Sequence, residues 1–313
     1  MFTTFNTMEK IIFDVDTGHD DAIAIAMAAG LKDEIEVLGL IATNGNVPLD
    51  KTLENTLNVA EAVGLKCPVF YGSSAPLLRE KVAAGEFHGK SGLDGVSFEK
   101  RKYQECKGNG ILWAINSVLN NPGEITFVSV GPYTDLAICI KAHPDFAKCL
   151  KRIVVMGGSM GRGNATPSAE FNIWGDPEAA EIVFNSGVEV VAMPLDVTLK
   201  VILDEDILEK IKREKDSKYK KLLLSQLDFY INANLVNNNS MPHMHDPCTI
   251  AYLADPSIFC FEQRNVHVET KSNLTYGRTV TGDIDKNAKV FLGVDVDLNR
   301  FWDIFFKAFR ALQ

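Results

Sequence analysis

KIIFDVDTGHDDAIAIAMAA, residues 10–29, reads as a strand, a sharp turn and a buried helix in immediate succession. Ile11, Ile12 and Phe13 form a short apolar run, and the Ala, Ile and Met content after Asp21 suits a helix buried on all sides. Gly18 supplies the bend between them. Asp14, Asp16, Asp20 and Asp21 fall within eight residues of one another around that bend. One aspartate at such a place is an ordinary helix cap. Four carboxylates at a strand's C-terminal end repel one another unless a cation or the positive helix N-terminus offsets them, and a bound hard metal ion is the economical explanation.

Outward from this unit, apolar runs alternate with helical patterns. Strands are predicted at 35–42, 69–71, 125–130, 153–156 and 188–193, and helices at 49–63, 111–119, 134–142 and 177–186. Repeated strand–helix–strand units predict an α/β fold: a single open, mostly parallel sheet flanked by helices on both faces, residues 1–313 forming one domain. In such sheets ligands bind outside the carboxyl ends of the strands, where the unusual polar sequences DTGHDD, TNGN, GPYTD and GGSMGRGN lie. Residues 73–107 hold several glycines and no clear period, which predicts a long loop near the site. The basic stretch 210–221 predicts a solvated helix face without a binding role. After Asp246 come a short helix, strand-like segments at 265–269 and 290–294, and a C-terminal amphipathic helix at 299–311. Its Phe301, Trp302, Phe305 and Phe309 are spaced as a core stripe.

The chain has 313 residues, 46% hydrophobic and 23% charged, with a net charge of −9. That balance argues against nucleic acid as a partner. Six cysteines show no CxxC pair, which suggests reduced thiols in a cytoplasmic protein. Neither a signal peptide at residues 1–10 nor a membrane span is read.

DVDTGHDDAIAI resembles the N-terminal signature of the inosine-uridine preferring nucleoside hydrolases, DxDxGxDDxxA. The resemblance continues in order through TNGN at 43–46, HGKSGLDG at 88–95, VGP at 130–132, VMGG at 155–158, GNATPSAEFNIWGDPEAA at 163–180 and HDPC at 245–248. It implies hydrolysis of the N-glycosidic bond of ribonucleosides through an oxocarbenium-like transition state. It further implies a metal site formed by Asp16, Asp21, Asp246 and the backbone carbonyl of Val130. Hard oxygen donors favour Ca²⁺ over Zn²⁺. Asp16 matches the family's general base, and Asp14 suits a carboxylate that holds the site from behind. Asp20, Asn46, Asn164, Glu170 and Asn172 are placed on the ribose hydroxyls, with Met156 beneath the ring. His88 and Phe171 would line the base pocket, with His243 a further candidate. His245, beside Asp246, is the group that can protonate the departing base. Relatives often carry tyrosines before the HD pair, whereas this chain has LVNNNSMPHMHD, the nearest tyrosine being Tyr230. The family is commonly a homo-oligomer, a dimer or tetramer.

Two rival readings remain at this stage. Asp14, Asp16 and Thr17 give DxDT, as in haloacid-dehalogenase-type phosphatases, with GDIDK at 282–286 as a strained match to their metal motif. A calcium-stabilised nucleoside or sugar binding protein would bind ribosides without turnover.

Overall fold

The apolar run at 11–13 is the middle of a longer strand, β1 (Glu9–Val15), in the computed structural model of the chain, which describes residues 8–81 and 85–313. Residues 1–7, part of the segment read for a signal peptide, and 82–84 of the long connection lie outside the described residues. Eight further strands follow: β2 (Ile35–Ala42), β3 (Val69–Tyr71), β4 (Ile125–Ser129), β5 (Arg152–Met156), β6 (Val190–Met193), β7 (Phe259–Val268), β8 (Thr279–Ile284) and β9 (Val290–Val296). They form one sheet in the order β3-β2-β1-β4-β5-β6-β9-β7-β8. Pairing is parallel from β3 through β9, and β7 runs antiparallel to both of its neighbours.

The pleat sends alternate residues of β1 to opposite faces. Ile11, Phe13 and Val15 join the core shared with the helices His19–Gly30 and Leu298–Ala311, while Ile12 joins the core beneath Gly110–Asn120, Thr134–Ala142 and Pro177–Phe184. Burial on both faces explains why the central strands read as continuous apolar runs. Each fully buried Ile or Phe contributes about 1.5–3 kcal/mol relative to exposure. The strand order reverses between β1 and β4, so their carboxyl ends, carrying Asp16 and Val130, flank the crevice where such sheets bind ligands.

The sheet's far edge was less legible. β8 was not predicted, because TVTGDI is largely exposed and carries Gly282 in its interior. β7 starts six residues before its predicted beginning at 265, since FCFEQRNVHV has no continuous apolar run. The basic stretch 210–221 is not one solvated helix. It is divided between Glu205–Arg213 and Lys218–Asn238, the latter capped by Ser217, whose Oγ accepts from Lys220 N at 3.0 Å. Tyr219 and Lys220 are buried, and Lys220 Nζ donates to Glu214 O at 2.6 Å. The stripe Phe301, Trp302, Phe305 and Phe309 is core, packed in mutual edge and stacked contacts. All six cysteines are free, three of them buried, with Cys260 exposed.

Candidate active site

Asp16 leaves β1 into the turn at Gly18, and the helix His19–Gly30 starts at once. Only glycine fits there, because a Cβ on Gly18 would lie 2.5 Å from His88 Nδ1 and 2.8 Å from Asn46 Nδ2. Asp21 closes the turn. Its Oδ1 accepts from Asp16 N at 3.0 Å, and its Oδ2 accepts from Gly18 N at 2.9 Å and Asn46 Nδ2 at 3.2 Å. Asp16 Oδ2 accepts from Asn46 N at 2.7 Å. Asp246 arrives from the other end of the sequence, at the start of the helix Pro247–Ala254.

Ligand oxygens of Asp20, Asp21 and Asp246 lie within 4.8 Å of one another, and all three residues are buried. At an effective dielectric constant of roughly 20, two ionised carboxylates at that spacing repel by about 3 kcal/mol. Burial, then the charge of Asp21, pushes Asp20 up to about 7 and Asp16 well above the usual carboxylate range. Asp246 is raised in the same way by burial, then by Asp20. Asp21 is raised least clearly, because burial is opposed by the backbone donors of the turn. An all-oxygen, buried and uncompensated cluster of this kind can hold a hard metal ion.

Next to it, β5 ends at Met156 and the chain returns through the loop at 163–170. Glu170 caps the short helix Phe171–Gly175: its Oε1 accepts from Asn172 N at 2.9 Å, and its Oε2 accepts from Gly158 N at 2.9 Å and Ile173 N at 3.1 Å. Burial nevertheless raises its carboxyl to about 7. Asn172 Nδ2 donates to the carbonyls of Val130 at 2.6 Å and Met156 at 3.1 Å. Asn164 Oδ1 accepts from Phe171 N at 2.9 Å. This loop is therefore held by its own polar side chains.

Two histidines face the same space. His245 Nδ1 lies 2.8 Å from Thr198 Oγ1, and burial, with His243 nearby, lowers its pKa to about 3. The imidazole is thus neutral at physiological pH, below the ordinary range assumed from the sequence. His88 Nδ1 accepts from His19 N at 3.1 Å, which leaves its proton on Nε2. His19 is stacked against Phe229, Tyr230 and His88.

One cavity of about 330 Å³ unites these parts. Among the residues singled out from the sequence, Asp16, Asp20, Asn46, His88, Val130, Met156, Asn164, Glu170, Phe171, Asn172, His245 and Asp246 line it. Asp21 lies in the carboxylate cluster beside it, Asp14 is fully buried behind it, and His243 is outside the lining. Sequence reading missed Phe87, Trp174, Tyr230, Asn234 and Asn238, which also line the cavity. The amides at 234 and 238, with Tyr230, recur every four residues on one helix; that spacing was the available signal. The described parts of 73–107 bring Phe87 and His88 to the cavity through the short helix Gly85–His88. The phosphatase reading fails on position: Asp14, its nucleophile, is 0% exposed and accepts from Ser129 Oγ, and GDIDK spans the exposed end of β8.

The profile of the family described as inosine-uridine preferring nucleoside hydrolase matches residues 11–303. The chain is 38% identical over 299 residues to the pyrimidine-specific ribonucleoside hydrolase RihB of Escherichia coli (strain SE11), covering 94% of this chain and 95% of that one. Among solved structures it is similar to a purine-preferring ribonucleoside hydrolase from Gardnerella vaginalis, with 30% identity, a TM-score of 0.91, and 97% and 99% of the two chains covered. It is also similar to a plant nucleoside hydrolase, the PpNRh1 enzyme, with 31% identity, a TM-score of 0.88, and 96% and 99% covered.

Proposed function

Because the chain belongs to the inosine-uridine preferring nucleoside hydrolase family, we propose that it is a calcium-dependent enzyme that hydrolyses inosine, uridine and related ribonucleosides to free base and ribose. The observation that carries this reading is the buried carboxylate cluster at one end of a cavity otherwise lined by amides, rings and histidines.

The buried cluster of Asp20, Asp21 and Asp246 fits a hard ion such as calcium; the proposed ligands are Asp16, Asp21, Asp246 and the Val130 carbonyl, Asp16 and Val130 lining the adjoining cavity. The Val130 oxygen accepts from Asn172 through one lone pair and keeps the other. When bound, calcium would lower the pKa of a coordinated water and hold the ribose diol. Asp16, oriented by Asn46 N, takes the proton from the attacking water. Asp20, Asn46, Asn164, Glu170 and Asn172 hold the ribose hydroxyls, with Met156 beneath the ring, and the carboxylates stabilise positive charge developing on the sugar. Asp14 supports the strand end from behind. His88 and Phe171 border the base.

His245 acts on the leaving base. With the ring neutral, the Thr198 hydroxyl donates to Nδ1, so Nε2–H is free to donate a hydrogen bond to the base and stabilise the negative charge that develops on it as the glycosidic bond breaks. Against the binding-protein alternative stand the relatives, which are ribonucleoside hydrolases, and the proposed base and hydrogen-bond donor sharing one cavity. We further propose that the chain is one domain and works as a cytoplasmic homo-oligomer, a dimer or tetramer; its free cysteines suit a reducing compartment. No helix among the described residues is long and apolar enough to cross a membrane.

Inosine and uridine should each release reducing sugar in the presence of calcium, with activity lost on EDTA treatment and restored by added Ca²⁺. Ribose release undiminished by EDTA would remove the metal from the proposal; none from any ribonucleoside would remove the activity.

A further inference from the structure

β5 ends at Met156, the residue proposed to lie beneath the ribose ring, and its buried backbone carbonyl has two donors. Tyr133 Oη donates to it at 3.0 Å, and Asn172 Nδ2 donates to it at 3.1 Å. A carbonyl oxygen has two lone pairs, so both are taken. The amide is the more heavily used donor. Its two N–H groups face three acceptors: the Val130 carbonyl at 2.6 Å, the Met156 carbonyl at 3.1 Å and Met156 Sδ at 3.3 Å. Tyr133 has one hydrogen, and the Met156 carbonyl takes it.

Tyr133 does not line the cavity. Its side chain is 0% exposed and edge-on to Phe184, with ring centroids 6.0 Å apart, and its backbone carbonyl accepts from Ala137 N at 2.9 Å at the start of the helix Thr134–Ala142. The hydroxyl is therefore held from behind by packed structure. Glycine at 157 is what lets it approach the strand end, because a Cβ there would lie 2.4 Å from Tyr133 Oη.

We infer that Tyr133 is a positioning residue for substrate: its hydroxyl holds the Met156 carbonyl, so that Asn172 can turn an N–H from that carbonyl to a ribose hydroxyl without leaving a buried acceptor unpaired. The inference rests on the proposed function for the placement of Asn172 on the ribose. A buried carbonyl that loses its last donor is costly, whereas one that goes from two donors to one is not. In the free enzyme Asn172 serves Met156. On binding, the substrate takes that N–H, Tyr133 remains as the carbonyl's donor, and Val130 keeps its short bond from the same amide. Without the hydroxyl the substrate has to break the carbonyl's last bond, and the cost falls on binding, equally in the ground and transition states.

Tyr133→Phe removes one oxygen from a filled site. The carbonyl keeps Asn172 in the free enzyme, so calcium-loaded Tyr133→Phe should melt within about 4 °C of wild type. Its KM for inosine or uridine should rise about 10-fold, with kcat within a factor of about two. On an Asn172→Ala background the same substitution should change kcat/KM no further, because no amide N–H is left to recruit; where that background is too slow to assay, the Kd for inosine by calorimetry should be the same with and without the hydroxyl. The cost should appear in stability instead, the double variant melting further below Asn172→Ala than Tyr133→Phe does below wild type. An unchanged KM in Tyr133→Phe, an equal factor lost on both backgrounds, or a melting point far below wild type with kcat lost alongside KM would overturn the inference. Asn172→Ala with wild-type KM and kcat would instead remove Asn172 from the ribose, and the reading of the site would fail first. Should the double variant not fold, the split between KM and kcat in Tyr133→Phe decides alone.

Discussion

The two ends of the cavity are built by opposite strategies. At one end, the carboxylates Asp16, Asp20 and Asp21 are covalent near-neighbours, fixed by a strand, a glycine turn and a helix whose hydrogen bonds are all within reach of one another. At the other, His88, Tyr230, Asn234, Asn238 and His245 come from a long irregular connection, a 21-residue helix and a loop far along the chain. The first end rests mainly on local geometry held by a parallel sheet, with Asp246 the one carboxylate brought from far along the chain; the second depends on tertiary docking of His19 against rings from two other elements. The comparison suggests that chemistry common to many substrates sits on the rigid end, and discrimination between bases on the assembled one.

The largest effect is expected at the rigid end. Asp16→Asn keeps the shape of the side chain and its bond from Asn46 N but removes the proposed base, so turnover of inosine or uridine at saturating calcium should fall by roughly 10² to 10⁴. Near-normal turnover in the calcium-replete variant would take Asp16 out of the chemistry and leave it a turn residue. The assembled end is expected to respond according to substrate. His245→Ala should lower kcat on inosine by about 10² while affecting p-nitrophenyl riboside far less, because p-nitrophenolate leaves without protonation. Equal losses on both substrates at saturating calcium would mean that His245 serves only to orient Asp246.

This division also explains what the sequence revealed. β2, β3 and the helix Thr134–Ala142 follow their predicted limits because central strands buried on both faces, and helices packed on them, leave plain apolar patterns. The carboxylates were legible because four in eight residues is itself anomalous. Tyr230 and Asn234 were not, since the helix Lys218–Asn238 is neither strongly apolar nor clearly striped, and what brings it over the cavity is contact with His19 rather than its own pattern.

Between the two ends, Glu170 offers an effect on stability. Burial raises it to about 7 even though three backbone N–H groups donate to it. A raised acid stabilises the fold below its ordinary range and loses that contribution as pH climbs through about 7, by at most about 3 kcal/mol. Glu170→Gln cannot ionise but also cannot accept all three bonds. It should be less stable than wild type at pH 5, with the gap narrowing toward pH 8 in melts without substrate. A gap constant across that range would show that Glu170 does not change ionisation on folding.

The smallest effect is expected at Asn234, and it tests the assembled end most directly. Asn234 Nδ2 donates to the carbonyl of Tyr230 one turn earlier, at 2.9 Å, so part of the amide's donor capacity is used on its own helix. Its Oδ1 is then the atom suited to meet a ring N–H of the substrate, a donor that both hypoxanthine and uracil possess. One neutral hydrogen bond contributes about 1 kcal/mol net. Asn234→Ala should therefore raise KM for inosine or uridine by about 5- to 10-fold, leaving kcat within a factor of about two and p-nitrophenyl riboside, which has no such N–H, unchanged. A parallel loss on p-nitrophenyl riboside would mean that the helix holds the cavity's shape rather than reading the base, and discrimination would then have to be sought among the rings of Phe87, Phe171 and Trp174.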